Sequence, residues 1–403
     1  MEQADCVIVG AGIGGAVLAL ALGRRGHRVV VLEREASAPA AGRPEVLAQS
    51  TVNALAQLGV GSRLYDEAVT PLSGLELRQA GGRLLFSIAP EDLQRAGVQP
   101  YSTDPNGTRR LLLEAARACG RIAIERGVDV QQVLRDGSRA AGVIATRHGQ
   151  PWRLSARLVI GDDGSHSRIR AGLGIPLAME EFALDFLVPT AALSAPSPAV
   201  GRAWIDPAAL AHGLAACVIM PLPSGRSALA LLLHRRVYDR LRQAGPGRFQ
   251  EAAARLAPDC AALTARMAFP EAWILIRRPF GHAPRYVTDG AALLGDAAHP
   301  VTPVGGQGAN MSVADALALS GVAHEALTRD DCSQQRLRAY EQLRWPANER
   351  SLQFSRRGQQ VLRWLIAAPW LAPLAPGLVR RYDRPAVKQR LLRAVAGAFV
   401  AAA

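Results

Sequence analysis

Three glycine-bearing stretches carry residue types and spacings that could do chemistry. The first, Gly10-Ala11-Gly12-Ile13-Gly14-Gly15, follows the apolar run Cys6–Val9 and opens a helix-like one. Gly10 permits a tight turn, Gly12 lets a pyrophosphate approach the backbone, and Gly15 lets the helix pack on a sheet. The helix N-terminus adds free N–H groups and the positive end of its dipole. Glu33 stands 18 residues after Gly15, where an acid can hold a ribose diol. That acid suits an adenosine with a free 2′-hydroxyl and leaves NAD and FAD open. The second stretch is Gly161-Asp162-Asp163-Gly164-Ser165-His166-Ser167-Arg168, and the third is Gly295-Asp296-Ala297-Ala298-His299-Pro300. The third leads into Pro303-Val304-Gly305-Gly306-Gln307-Gly308-Ala309-Asn310 and a helix holding Asp315.

Positioning these stretches requires a parallel sheet. Val7–Val9, a helix from Ile13 to Arg25 and a strand from Arg28 to Glu33 form a β-α-β unit with a right-handed crossover. A helix over 51–58 should end at Gly59, and Leu75–Arg78 with Leu84–Ile88 should form a hairpin around Gly81-Gly82. Helical spacing returns from Thr108 to Cys119; strands follow at Ala140–Arg147 and Arg153–Ile160. From Pro176 to Phe280, Pro and Gly split strand-like runs such as Phe182–Val188, Ala215–Met220 and Ser227–His234, with one helix over Phe249–Leu256. This section reads as an antiparallel sheet inserted into the parallel domain, able to cover a ligand. Ala291–Leu294 resumes the buried strands, and the last 60 residues read as helices broken at Pro369, Pro373 and Pro376. The expected division is 1–175, with a hairpin near 72–100 given to the inserted layer, then 176–280, 281–345 and 346–403.

Composition bounds the rest. A chain of 403 residues, 49% hydrophobic and 20% charged, can bury a large core and is not disordered. Five widely spaced cysteines (Cys6, Cys119, Cys217, Cys260, Cys332) fit neither a disulfide framework nor a metal site and suggest thiols in a reducing cytoplasm. No signal segment and no 18-residue uncharged apolar run is visible, so a cytoplasmic location is expected. The net charge of +13 is carried mainly by residues 344–403, with 11 basic and two acidic side chains. Lys388 is the only lysine, and no groove-reading module accompanies the arginines, so nucleic-acid binding is not expected.

The three stretches, in this order, resemble the class A flavoprotein monooxygenases, the p-hydroxybenzoate hydroxylase-like family. The resemblance covers about residues 4–345. It implies an α/β fold: a Rossmann-like, glutathione-reductase-type FAD-binding domain, an inserted antiparallel β-sheet substrate domain and a helical C-terminal tail. It implies FAD as cofactor, held by Gly10, Gly12, Gly14, Gly15, Glu33, Arg34, Arg43, Asp163, Gly164, Asp296 and Gly306–Asn310. Arg109 or Arg110 should reach the pyrophosphate; the doubled arginine leaves the choice open. By the same resemblance Asp296 meets a ribityl hydroxyl. Gly305, Gly306, Gln307, Gly308 and Ala309 bring backbone N–H groups to the flavin pyrimidine edge, where a helix N-terminus stabilises the reduced anion. Pro303 would place its carbonyl near the reacting substrate and flavin, and Asn310 would help position the ring. The catalytic set is therefore Pro303, Gly305, Gly306 and Asn310. NADPH or NADH would visit transiently, since no second dinucleotide motif is present. Hydride transfer to FAD, oxygen addition at flavin C4a and delivery of one oxygen atom to an aromatic or polyketide-like molecule would follow.

Two positions depart from the family pattern: Asp162 replaces a small residue, and Pro300 directly follows His299. His299 is read as a structural part of its loop rather than a general base. On the inserted sheet, Trp204, Met220, Leu222, Leu231, Leu233 and His234 are plain core or cavity wall, and alternation turns about half of them inward. The absence of an Arg–Tyr cluster favours a larger, apolar, polycyclic substrate over a benzoate. Arg356, Arg357, Arg363, Trp364, Trp370, Arg380 and Arg381 read as a solvated face on packed helices. A membrane-surface helix pair, or attraction of a carrier-bound anionic substrate, is the other reading. A Baeyer–Villiger or epoxidising oxygenase, a flavin oxidase or reductase, and a flavin redox sensor remain alternative functions on the same scaffold.

Overall fold

The structure is a computed structural model that describes residues 2–37, 45–190, 193, 199–210, 212–258, 261, 264–265, 267–277, 279–302, 306–390 and 392. Its central sheet starts from the strand Glu2–Val9, which pairs in parallel with Val29–Glu33 on one side and Gln150–Gly161 on the other. Ile122–Arg126 and Ala291–Leu293 extend the parallel order outward. Val128–Asp136 and Arg139–Arg147 form an antiparallel meander running into Gln150–Gly161. Because the parallel strands Glu2–Val9, Gln150–Gly161 and Ala291–Leu293 run the same way, Gly10, Gly161 and Gly295 come to one edge of the sheet.

The helix Ile13–Arg24 is buried from Gly14 through Gly23 and is apolar on every side. Such a helix must be covered all round. It lies between the sheet and two further helices, Pro105–Ala118 and Gly308–Thr328. Gly10 has φ +107, and a Cβ there would lie 2.1 Å from the Asp162 carbonyl oxygen. Only glycine tolerates both the left-handed backbone and that approach.

The second sheet runs in the order Trp273–Ile276, Asp185–Pro189, Arg226–Leu233, Leu214–Leu222, Val200–Ile205, Gly74–Gln79, Leu84–Ile88. Every pairing is antiparallel except Val200–Ile205 with Gly74–Gln79. Two helices, Arg235–Ala244 and Pro246–Leu256, cover one face around Trp204, Leu231 and Phe249. The opposite face packs Phe182, Phe186 and Ala230 against Leu362, Leu365 and Ile366 of the long helix Gln334–Ala367.

Several local readings change. The helix expected to stop at Gly59 instead kinks there, at φ 79, and resumes as Gly61–Glu67. Arg235–Ala244 was not legible because Val237 is its only fully buried side chain. The helix Gln334–Ala367 passes through the boundary drawn at 345, with Pro346 inside it. It ends before Pro369, and short turns, Pro369–Leu374 and Ala375–Arg380, follow. Cys6, Cys119, Cys217 and Cys332 form no disulfide, and Cys260 lies outside the described residues. Among the described residues no helix is long and apolar enough to cross a membrane.

Candidate active site

A cavity of about 1860 Å³ opens between the two sheets and the C-terminal helices. A pocket for one drug-sized ligand occupies roughly 300–1,000 Å³, so this one has room for a large cofactor and a second molecule. One side is built by Gly12, Ile13, Gly14, Asp162, Gly164 and Asp296, with Gly306, Gln307, Gly308 and Ala309. Two helix N-termini meet there, those of Ile13–Arg24 and Gly308–Thr328. Neither helix has a side-chain cap from its own N-cap residue; Gly15 N bonds Asp162, and the other N–H groups of these first turns can meet an anion. The donor set and glycine cradle fit a dinucleotide with a pyrophosphate.

Glu33 ends its strand beside the glycine loop; its carboxylate accepts from Ala11 N at 3.1 Å and from Glu35 N at 2.9 Å. Arg109 lines the cavity, whereas Arg110 turns the other way to Glu67 at 2.7 Å and Glu114 at 3.1 Å. One Arg109 guanidinium nitrogen, Nη2, is buried without a hydrogen-bond partner among the described residues. Burial lowers the Arg109 pKa and the neighbouring Glu33 opposes that shift. The doubled arginine is thereby separated: of the two, Arg109 alone faces the cavity. Arg34 is exposed, pairs with Glu35 at 3.3 Å and stands outside the cavity lining. Arg43, Pro303 and Gly305 lie outside the described residues.

Asp163, expected at the cofactors, spends its carboxylate on the start of the helix Arg168–Gly172. It accepts from Arg168 N at 2.7 Å, Ile169 N at 3.1 Å and the Ser167 hydroxyl. Its neighbour Asp162 is the one that faces the cavity, with Oδ2 accepting from Gly15 N at 2.8 Å. Asn310, expected to help position the ring, stands behind the cavity lining. It is buried and holds Ala48 N at 2.9 Å, the Thr51 hydroxyl at 2.8 Å, Val46 O at 2.8 Å and Gly306 O at 3.2 Å. It is a positioning residue that ties the cavity-lining segment 45–49 to the glycine loop.

Behind the Gly295–Pro300 loop lies a polar cluster that sequence reading did not find. His299 bonds Asp315, which also accepts from Arg344 Nε at 2.7 Å, Asn348 Nδ2 at 3.0 Å and Gly295 N at 3.3 Å. Asn348 continues to the Tyr286 hydroxyl at 3.3 Å, and His282 bridges Tyr286 and Glu349 at 2.6 Å each. Burial works against charge on Asp315, yet His299 and Arg344 outweigh it and hold the carboxyl well below the usual range. His299 is 1% exposed and so is a loop anchor, without access to the cavity. The only signal in the sequence was Asp315 within the helix Gly308–Thr328; its partners Arg344 and Asn348 lie one helix further on.

On the substrate sheet, alternation divides the strands cleanly. Ala216, Val218 and Met220 line the cavity, as do Ala230 and Leu232, while Cys217, Ile219, Leu229, Leu231 and Leu233 face the covering helices. Of the six residues singled out on this sheet, Met220 alone reaches the cavity. Trp204, Leu231 and Leu233 are core under the helices, Leu222 is buried off the cavity, and His234 caps the helix Arg235–Ala244. Phe86, Phe182, Leu184 and Phe186 complete the apolar wall, and Leu362, Leu365, Leu378 and Val379 close it from the C-terminal side.

Comparison with known proteins agrees with this geometry. The family model described as FAD binding domain matches residues 3–355. The 6-methylpretetramide 4-monooxygenase of Streptomyces rimosus is 29% identical over 365 residues, 86% of this chain and 81% of that protein. The ubiquinone hydroxylase UbiL of Rhodospirillum rubrum is 29% identical over 367 residues, covering 86% of this chain and 79% of its own. The crystal structure of Pseudomonas aeruginosa PqsL in complex with 2-aminobenzoylacetate superposes with a TM-score of 0.76 at 25% identity, over 93% of this chain and 99% of that one.

Proposed function

The chain belongs to the FAD-binding-domain family and is a FAD-dependent monooxygenase, and we propose that it inserts one oxygen atom into a large, mostly apolar, polycyclic aromatic molecule. The size and lining of the second half of the cavity carry this reading: aromatic and aliphatic side chains from the substrate sheet and the C-terminal helices, with no histidine or carboxylate among the described residues on the sheet's cavity face. FAD, when bound, takes reducing equivalents from NADPH or NADH and activates oxygen. The protein's part is to hold and exclude. Gly12, Gly14 and Arg109 receive the pyrophosphate, Glu33 the adenosine ribose and Asp296 the ribityl chain. The Gly306–Ala309 backbone, at the positive end of the helix Gly308–Thr328, meets the isoalloxazine edge and favours negative charge there. Phe182, Leu184, Phe186, Val218, Met220 and Leu232 keep water away and orient the aromatic ring. The similarity to a 6-methylpretetramide monooxygenase favours a fused-ring substrate over a single small ring. Turnover of fused-ring phenols with NAD(P)H under ¹⁸O₂ tests this. One labelled oxygen in the product supports it; reduced product, or oxygenated product without label, overturns it.

The C-terminal segment supports a lipid-surface contact in addition to packing. Leu362 and Leu365 face the cavity, but Phe354, Val361 and Trp364 are exposed on the same helix, with Arg357 at matching helical spacing. Trp370, Leu374, Leu378 and Tyr382 continue this exposed apolar surface, and Arg380, Arg381 and Arg384 are exposed around it. Large apolar side chains ringed by arginines suit an anionic bilayer surface. Phe354, Val361, Leu378 and Tyr382 also line the cavity, so an apolar substrate could pass from lipid to the site. Sedimentation with phosphatidylglycerol vesicles should deplete the protein, and Trp364→Ser/Trp370→Ser should abolish this. Failure to bind, with a dimer or an acidic carrier-protein complex broken by the same substitutions, would assign the face to that partner instead.

A further inference from the structure

Asp162 occupies the middle of the phosphate cradle. Its Oδ2 accepts the Gly15 N–H at 2.8 Å, and so caps from a distance of 147 residues a helix whose own N-cap, Gly12, offers no side chain. The carboxylate is fitted among four glycines. A Cβ on Gly12 or Gly15 would lie 2.7 Å from Oδ2, and one on Gly295 or Gly14 would lie 3.1 or 3.3 Å from Oδ1. Of these, Gly12 and Gly14 line the cavity together with Asp162, so a pyrophosphate laid against the start of the first helix arrives beside Asp162. An ionised carboxylate there would compete for the same N–H groups and repel the phosphates.

Among the described residues, no cation is one of the groups that bear on this position most strongly. The groups that bear on Asp162 most strongly are the Gly15 N–H from the first helix, Asp163 on its own loop, Asp296 from the Gly295–Ala297 turn and Glu33 from the second strand. Burial first, and then the three acids, push its pKa well above the ordinary aspartate value; the Gly15 bond opposes them. A neutral carboxylic acid has what the site needs, one acceptor for Gly15 and one O–H donor for a phosphate oxygen.

We propose that Asp162 receives the FAD pyrophosphate as a neutral carboxylic acid, its hydroxyl donating to a phosphate oxygen while its other oxygen keeps the Gly15 N–H, so that loading of the cofactor is coupled to uptake of a proton. The inference rests on the FAD reading above. FAD affinity is then highest at low pH and falls by up to tenfold per pH unit above the titration of Asp162 in the unloaded protein. Asp162→Asn keeps an acceptor and a donor without a titrating group, and Asp162→Ala removes both.

The test is the FAD dissociation constant from pH 5.5 to 9, read from the flavin fluorescence released when the flavin-loaded protein is diluted. The wild type should weaken with rising pH, and both variants should give flat profiles that cross it. A flat wild-type profile, or a slope that persists unchanged in both variants, overturns the proposal. A wild type that is flat and uniformly weaker than Asp162→Asn also overturns it, since that marks an ionised, merely repulsive Asp162. Should the variants not fold, proton uptake by the wild type on adding FAD in weak buffer decides: up to one proton per flavin is expected at alkaline pH, and none contradicts. Failure to hold flavin at any pH would refute the FAD reading itself, an outcome distinct from any pH profile.

Discussion

His299 and Asp315 hydrogen-bond to each other with 1% and 0% of their side chains exposed, directly behind the loop that presents Asp296 to the cavity. Arg344, 3% exposed, completes the pair from the long helix, 2.7 Å from the other Asp315 oxygen. A buried carboxylate that loses its cation keeps its desolvation penalty, and breaking such a pair costs about 3–5 kcal/mol. Arg344→Met should therefore lower unfolding stability by that order, measured by urea denaturation. A loss below about 1 kcal/mol, the scale of an exposed ion pair, would show that the cluster does not hold the loop.

The same cluster sets an acid limb. Asp315 has its folded pKa depressed, so its contribution is present above the unfolded value, about 3.9, and disappears as pH falls below it. Urea midpoints measured from pH 6 down to 3 should drop more steeply for wild type than for Asp315→Asn, which has no carboxylate to protonate. Parallel curves would remove Asp315 as a source of acid sensitivity.

Arg109 and Arg110 are neighbours in sequence with opposite roles. Arg109→Met should weaken FAD binding about tenfold or more, the value of one charge-assisted hydrogen bond. Arg110→Met should leave flavin affinity unchanged and lower stability by less than about 1 kcal/mol, because its Glu67 and Glu114 bridges are solvent-exposed. Flavin fluorescence titration of both variants decides; equal losses would mean that Arg109 does not contact the cofactor.

How far the chain was legible follows from the kind of signal each part carries. The glycine cradle and Asp296 could be placed because backbone approach to a phosphate restricts residue type at fixed spacing. The carboxylate order at Asp162 and Asp163 could not, since adjacent residues at a strand end differ only in direction: Asp163 turns to the helix Arg168–Gly172 and Asp162 to Gly15. The particular contacts of Asn310 could not be read either, since they depend on the packing of Val46 and Ala48 against it. The Asp315–Arg344–Asn348 cluster was illegible because its members meet only when two helices pack. Half of each strand in the substrate sheet reads alike, apolar on both faces, so pattern alone left Leu231 and Leu232 undivided.

That division is testable. Leu231 is 1% exposed under the covering helices, whereas Leu232 faces the cavity. Leu231→Ala should cost about 2–5 kcal/mol of stability with little change in KM. Leu232→Ala should change KM for a fused-ring substrate several-fold at a smaller stability loss. Thermal melts with steady-state kinetics separate the two, and a reversed pattern would invert the assigned register.

The central claim, oxygen activation in this site, is tested most directly by rapid mixing. The flavin-loaded protein is reduced without air, mixed with oxygenated buffer in the presence of a fused-ring phenol, and followed in the near ultraviolet and at the oxidised flavin band. A near-ultraviolet transient that precedes the return of oxidised flavin, with hydroxylated product in step, is the predicted result. A single-step return of oxidised flavin with stoichiometric hydrogen peroxide and unaltered phenol would contradict it.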